Sequence, residues 1–106
     1  MPDIAGWRRT TLPELPDAPF TFVAPDWVAE VLSPSTCRLD KAVKLPIYRR
    51  EAVAHVWLVD PDAELLEVLR LDGVSYRIVQ TLSGNTPVRA EPFDAIEFDL
   101  GALWQR

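Results

Sequence analysis

Two short apolar segments limit this chain to a fold with a buried sheet. Residues 27–33, WVAEVLS, are bounded by prolines, and residues 55–60, HVWLVD, end at Pro61 and Asp62. Short apolar segments that are flanked by turn residues and rich in β-branched and aromatic side chains are typical of buried strands. We therefore predict one strand in each segment.

One main helix is predicted between these two strands. The candidate is SPSTCRLDKAVKLPIYRREAV, residues 33–53, in which Val43 and Ile47 share one helix face because they lie four residues apart. Pro46 interrupts the pattern, so the helix either kinks there or ends and restarts. We expect Tyr48 to pack this helix against the sheet.

The second half of the chain carries the clearest hairpin signal. Residues 65–71 and 74–82 are strand-like, and the pair Asp72-Gly73 between them suits the positive φ values of a tight turn. Shorter strands are predicted at residues 3–7 and 95–100, with a final helical turn after the second of them.

The order of these elements predicts an α+β or mixed α/β domain. A mixed sheet would pack against one main helix, with a β-hairpin towards the C-terminus. A length of 106 residues argues for a single domain over residues 1–106.

Charge and composition narrow the classes of function. The net charge of −5 disfavours nucleic-acid binding through bulk charge, but it leaves open a small site neutralised by a metal ion. The single cysteine forms no disulfide within the chain, and the sequence contains no apolar run of bilayer length and no signal-peptide core. A cytoplasmic location is therefore the expectation.

Glu30 is the unusual residue of the first apolar segment. In a strand over residues 27–33 it shares a face with Val28 and Leu32, and both faces are apolar. Burying a carboxylate without a partner costs several kcal/mol, on the order of 2–7 for an unpaired polar group. One interpretation is that Glu30 lies near an edge and reaches solvent, or pairs with an arginine.

The alternative interpretation is a metal site for phosphodiester chemistry. Asp3 opens the first predicted strand, and Lys41 and Lys44 share a helix face because they lie three residues apart. Two carboxylates on adjacent strands can hold a hard cation such as Mg²⁺. Such a cation stabilises charge on a phosphate and acidifies a bound water, and a nearby lysine assists.

The motifs resemble a known nuclease family. PDWVAEVLSPST, then LDKAVKLPIY, then HVWLVDP, is similar to the Uma-type restriction endonuclease family of the PD-(D/E)XK nuclease superfamily. The resemblance runs from PDIAGWR to FDLGALW, over essentially the whole chain. It implies a restriction-endonuclease-like core and a metal-dependent endonuclease that acts on DNA with Mg²⁺ or Mn²⁺.

The resemblance also implies the site residues. Asp3, in the PD element, would be the first metal ligand, and Glu30 would be the acidic residue of the second catalytic strand. The usual superfamily lysine position, two residues beyond Glu30, is Leu32 here. The family's lysine lies on the following helix, which implies Lys44, with Lys41 as the alternative. On this hypothesis a metal cation, rather than a side chain, offsets the charge of Glu30.

The chain departs from the family at its start. Family members carry a further N-terminal portion, and this sequence begins at Met1, so we expect that portion to be lacking. The first strand would then have an open edge. Three alternatives stay open: the chain is a fragment of a longer product, a second copy completes the sheet, or the chain is an inactive remnant. We predict the second, a homo-oligomer. The alternative function is a catalytically inactive nuclease-fold module for binding or assembly.

His55, the only histidine, is expected to be structural.

Overall fold

A five-stranded mixed sheet forms the centre of the fold, in a computed structural model that describes residues 4–6, 25–33 and 43–104. The strands stand in sequence order across the sheet. The second and third strands are parallel, and the other neighbouring pairs are antiparallel. The strands are β1 (Ile4–Gly6), β2 (Trp27–Val31), β3 (His55–Asp60), β4 (Leu65–Asp72) and β5 (Ser75–Ser83).

Helix α1 (Leu45–Arg50) lies in the connection between β2 and β3. Parallel neighbours need a crossover connection, and helices commonly provide it. Pro46 lies in the first turn of α1, where the helix has no use for its missing N–H. The residues immediately before α1, 43 and 44, form a π-helical turn, and Pro46 follows them at the start of the regular α-helix. Part of the predicted helix, residues 34–42, lies outside the described residues.

The sheet is buried on both faces. The helix-side cluster of buried residues comprises Val28, Leu32, Tyr48, Val53, Val56, Leu58 and Leu69. The opposite cluster comprises Ala29, Trp57, Val59, Leu66, Val68, Ala90 and Leu100. Strands covered on both faces have nearly continuous apolar sequences, which explains the composition of β3. Among the described residues, no helix has the length and apolar character needed to cross a bilayer.

The C-terminal segment covers the face away from the helix. It contains two short paired strands, β6 (Pro87–Val88) and β7 (Phe98–Asp99), followed by a 3₁₀ helix (Leu100–Leu103). The last strand is shorter than predicted, because residues 93–96 form turns, with Ile96 N donating to Phe93 O at 3.1 Å. The 3₁₀ helix lies where the final helical turn was predicted.

The β4–β5 hairpin is present, but its turn lies one residue later than predicted. Asp72 pairs with Ser75, so the two loop residues are Gly73 and Val74. Gly73 has a φ of 65°, and only the first loop residue has a positive value. A two-residue loop of this kind needs glycine at its first position, so Asp72 serves as the last strand residue.

Candidate active site around Glu30

Glu30 lies in the interior of the sheet and not at an edge. Its strand, β2, runs between β1 and β3, and Glu30 pairs in register with Leu58. Only 1% of its surface is exposed, and within the described part of the chain it is the only buried charged residue. The interpretation that Glu30 lies near an edge and reaches solvent is therefore wrong.

Two side chains from the helix region bind the Glu30 carboxylate. Lys44 Nζ donates to Oε2 at 2.8 Å, and the Tyr48 hydroxyl donates to Oε1. Lys44 is the residue immediately before α1, and Tyr48 lies one turn further along the helix. Residues four apart face the same way on a helix, so a single helix face delivers both donors to one carboxylate.

These contacts give Glu30 a charge partner within the chain. The Lys44 ammonium is close enough for an ion pair, and each carboxylate oxygen accepts one hydrogen bond. Lys44 therefore offsets charge on Glu30 within the chain, and the metal cation at Glu30 stays a prediction. Among the described residues, the cation bonded to Glu30 is Lys44, the lysine that the resemblance implied, and not an arginine.

Tyr48 is the site residue that sequence reasoning missed. It was expected only to pack, and it does pack, with 7% of its surface exposed among apolar residues. Its hydroxyl nevertheless ends on Glu30. The spacing of four residues between Lys44 and Tyr48 could have identified it. Side chains four residues apart on a helix point in the same direction, so this spacing indicates that Tyr48 faces the same way as Lys44.

Of the other predicted site positions, the structure describes only the one at Leu32. Asp3 and Lys41 lie outside the described residues. Ile4, which follows Asp3 in the sequence, pairs with Ala29, the neighbour of Glu30. Leu32, at the usual superfamily lysine position, has 5% of its surface exposed within the apolar cluster on the helix side, so it contributes packing and no charge.

The donor chemistry at Glu30 fits a hard divalent cation. A carboxylate offers about four lone-pair sites, and the two hydrogen bonds occupy two of them. Mg²⁺ is commonly held by one or two carboxylates and keeps several waters. The described residues contain no cluster of three or more histidine, cysteine, aspartate or glutamate side chains. Further ligands would therefore be waters, substrate oxygens or residues outside the described ranges.

An open groove of about 440 Å³ lies beside the site, between α1 and strands β4 and β5. Leu58 pairs in register with both Glu30 and Glu67, so these three side chains form a row on one face of the sheet. Leu58 and Glu67 also line the groove, together with Arg49. Leu58 is thus both the register partner of the buried Glu30 and part of the groove lining.

A second polar cluster lies on the opposite face of the sheet. Glu91 accepts from Arg70 Nη1 at 3.1 Å, and His55 Nε2 lies 3.2 Å from its other carboxylate oxygen. His55 and Leu58 point to opposite faces because side chains alternate along β3. The only histidine of the chain therefore takes no part in the Glu30 site.

A family comparison covers nearly the whole chain. The family model described as "Uma2: Putative restriction endonuclease" matches residues 1–101. Among curated proteins, none matches this chain.

A solved structure has a similar fold. It is described as a "putative nuclease belonging to DUF820" from Anabaena variabilis ATCC 29413, and it superposes with a TM-score of 0.70 at 21% sequence identity. The comparison covers 97% of this chain and 58% of that chain, so this chain spans little more than half of its neighbour's length. At this identity the likeness establishes the fold, and the predicted mixed sheet with its helix and hairpin is confirmed. With residues 1–101 matched, the chain belongs to the Uma2 family, whose description is "Putative restriction endonuclease".

Proposed function

We propose that this chain is a nuclease that hydrolyses DNA phosphodiester bonds with the help of Mg²⁺ or Mn²⁺. The description of its family and that of its structural neighbour both support a nuclease. The observation that carries the proposal is the buried Glu30 carboxylate with Lys44 bonded to it. The family resemblance implies Asp3, Glu30 and Lys44 as site residues, and the structure describes Glu30 and Lys44.

Stability alone is a weak reason to keep such a pair. Replacing a buried ion pair by apolar side chains of similar volume is often neutral or stabilising, by about 1–4 kcal/mol. Glu30 has apolar neighbours on its own face, Val28 and Leu32. Packing therefore does not require a buried ion pair among these apolar residues, which supports a chemical role for it.

Each residue has a distinct proposed role. Glu30 and Asp3 would hold the cation, and Asp3 is supported by its place in the sequence next to Ile4, which pairs beside Glu30. When bound, the cation supplies neutralising charge for the phosphate and lowers the pKa of a coordinated water. Lys44, whose side chain is 27% exposed, can reach a phosphate oxygen from the solvent side. Lys41 is the alternative lysine.

A binding or assembly module without catalysis is the second candidate function. It is favoured by the net charge of −5, since affinity for DNA comes largely from basic residues that neutralise phosphates.

Metal dependence is the direct test of the first candidate. We expect the purified chain to nick plasmid or cut single-stranded DNA in the presence of Mg²⁺ or Mn²⁺, and to be inactive after EDTA treatment and active again when metal is returned. Agarose gels and a fluorescent oligonucleotide give the rates. A folded chain that leaves both substrates intact with every divalent metal would contradict the nuclease proposal and support the binding module.

Self-association is a further proposal, carried by β1. In the described part of the sheet, β1 has only β2 as a neighbour, and 53% of the surface of Ile4 is exposed. An apolar strand at a sheet edge is a template for pairing with another chain. We expect sedimentation velocity to show association that increases with concentration, and Ile4→Lys to shift it towards monomer. Val74→Lys, at the exposed hairpin turn, is the control that should change nothing. A monomer at all concentrations would refute the proposal.

A further inference from the structure

The two partners of Glu30 are not equivalent. Tyr48 approaches from inside the protein, because only 7% of its surface is exposed and its ring belongs to the apolar cluster on the helix side of the sheet. Lys44 approaches from the rim, with 27% of its side chain exposed, against 2% for Glu30. One donor is therefore enclosed by the core, and the other can be reached from solvent.

The enclosed donor has little freedom to leave. Tyr48 is anchored through its backbone as well as its ring, since its carbonyl accepts from Val53 N at 3.0 Å. Turning the hydroxyl away from Glu30 would strand a buried polar group, at a cost of about 1–3 kcal/mol. The Lys44 side chain is 27% exposed, so water or an anion can replace the carboxylate beside its ammonium group. The bond from Tyr48 is thus the durable one, and the bond from Lys44 is the exchangeable one.

We infer that Tyr48 is a positioning residue that holds Glu30 in the orientation that a divalent cation needs, while Lys44 competes with that cation for Oε2. The inference rests on the proposed function and deepens it. In the free protein Lys44 offsets the charge of Glu30. With a cation bound at Glu30, the Lys44 ammonium would be available to a phosphate of the substrate.

The two substitutions should therefore change metal affinity differently. Residues that orient a metal ligand through a hydrogen bond typically change metal affinity by about 10–100-fold when they are removed. Tyr48→Phe removes only the hydroxyl, so metal binding should weaken. Lys44→Gln removes a positive charge close to the carboxylate, so metal binding should stay the same or strengthen by Coulomb's law, even though cleavage is lost.

A matched control exists in the same apolar cluster. The Tyr76 ring packs against that cluster, and its hydroxyl donates to Val53 O at 2.6 Å. Tyr76→Phe removes a comparable hydroxyl hydrogen bond without touching Glu30. A purely structural effect of losing a tyrosine hydroxyl would appear in both variants, and a positioning effect would appear in Tyr48→Phe alone.

The experiment is a Mn²⁺ titration of the full chain by isothermal calorimetry, with thermal unfolding to verify that each variant is folded. We expect Tyr48→Phe to weaken Mn²⁺ binding by about 10–100-fold, Tyr76→Phe to match the wild type, and Lys44→Gln to bind at least as tightly as the wild type. Glu30→Gln should abolish binding.

The outcomes separate this inference from the function on which it rests. If Glu30→Gln loses Mn²⁺ while Tyr48→Phe binds it like the wild type, positioning by Tyr48 is refuted and the metal site stands. If Glu30→Gln binds Mn²⁺ like the wild type, the metal site itself is refuted. Should Tyr48→Phe fail to fold, Lys44→Gln still tests whether Lys44 competes with the cation for Glu30. Weaker Mn²⁺ binding in Lys44→Gln than in the wild type would contradict that competition.

Discussion

Replacing Glu30 by glutamine is expected to lower the DNA cleavage rate by about a thousandfold. Metal stabilisation of transition-state charge is worth several kcal/mol, and each 1.36 kcal/mol is about tenfold in rate. Glutamine has nearly the same shape, and its amide oxygen can accept from Lys44 while its amide N–H donates to the Tyr48 hydroxyl oxygen, so the fold should survive. The rate of plasmid nicking, measured at a fixed Mn²⁺ concentration that saturates the wild type, gives the comparison.

The control for this substitution is Glu51→Gln. Glu51 lies at the end of α1 with 54% of its side chain exposed, in a long contact of 3.7 Å with Arg50. It carries the same formal change of charge and should leave the rate unchanged. A Glu30→Gln protein that keeps more than a tenth of wild-type activity would remove Glu30 from the catalytic site.

Replacing Trp57 by alanine is expected to lower the free energy of unfolding by about 3–5 kcal/mol. Only 6% of the surface of Trp57 is exposed, and its ring makes edge contacts with Trp27 and Phe93 at centroid distances of 5.2 and 5.7 Å. Its indole N–H donates to Glu91 O at 2.6 Å. Alanine would leave both a cavity and a carbonyl without its donor.

Urea denaturation followed by far-ultraviolet circular dichroism measures this effect. Domains of ordinary stability have only about 5–15 kcal/mol in total, so the loss should move the urea midpoint strongly. Val74→Ala is the comparison, because 81% of the surface of Val74 is exposed and such surface changes stay within about ±0.5 kcal/mol. A loss below about 1 kcal/mol for Trp57→Ala would mean that the C-terminal segment is not docked through this residue.

The strands were the most predictable part of the fold. Residues 55–60 were predicted as a strand, and β3 has those bounds. The hairpin was predicted because its signal is local: two strand-like runs and a glycine between them. The turn position was displaced by one residue, since the pairing of Asp72 with Ser75 depends on the register of the whole β4–β5 ladder.

The last strand and the helix start were less predictable. The run at residues 95–100 alternates like a strand, yet it forms turns up to Phe98 because this segment must fold back over the apolar face of the sheet. From the sequence, the helix was expected either to kink at Pro46 or to end and restart there. In the described structure Pro46 lies in the first turn of α1. For the last strand, the packing partners of Phe98 lie in segments distant in the chain.

The candidate site was also predictable only in part from the sequence. From sequence, Glu30 was recognisable as a charge in an apolar strand, and the family resemblance implied Lys44 as its companion. The identity of its hydrogen-bond partners was not recognisable, because a strand residue and a helix residue meet only when the helix packs on the sheet. Tyr48 could not be distinguished from a packing residue until its hydroxyl was seen on Glu30.

The sequence by itself determined the strands, the hairpin and the family, because alternation of apolar residues, turn residues and short motifs are properties of neighbouring positions. Only the tertiary structure decided that Glu30 is buried and which donors satisfy it. The physical reason is that burial and hydrogen bonding depend on the packing of α1 against β2, which brings together residues 14 and 18 positions apart.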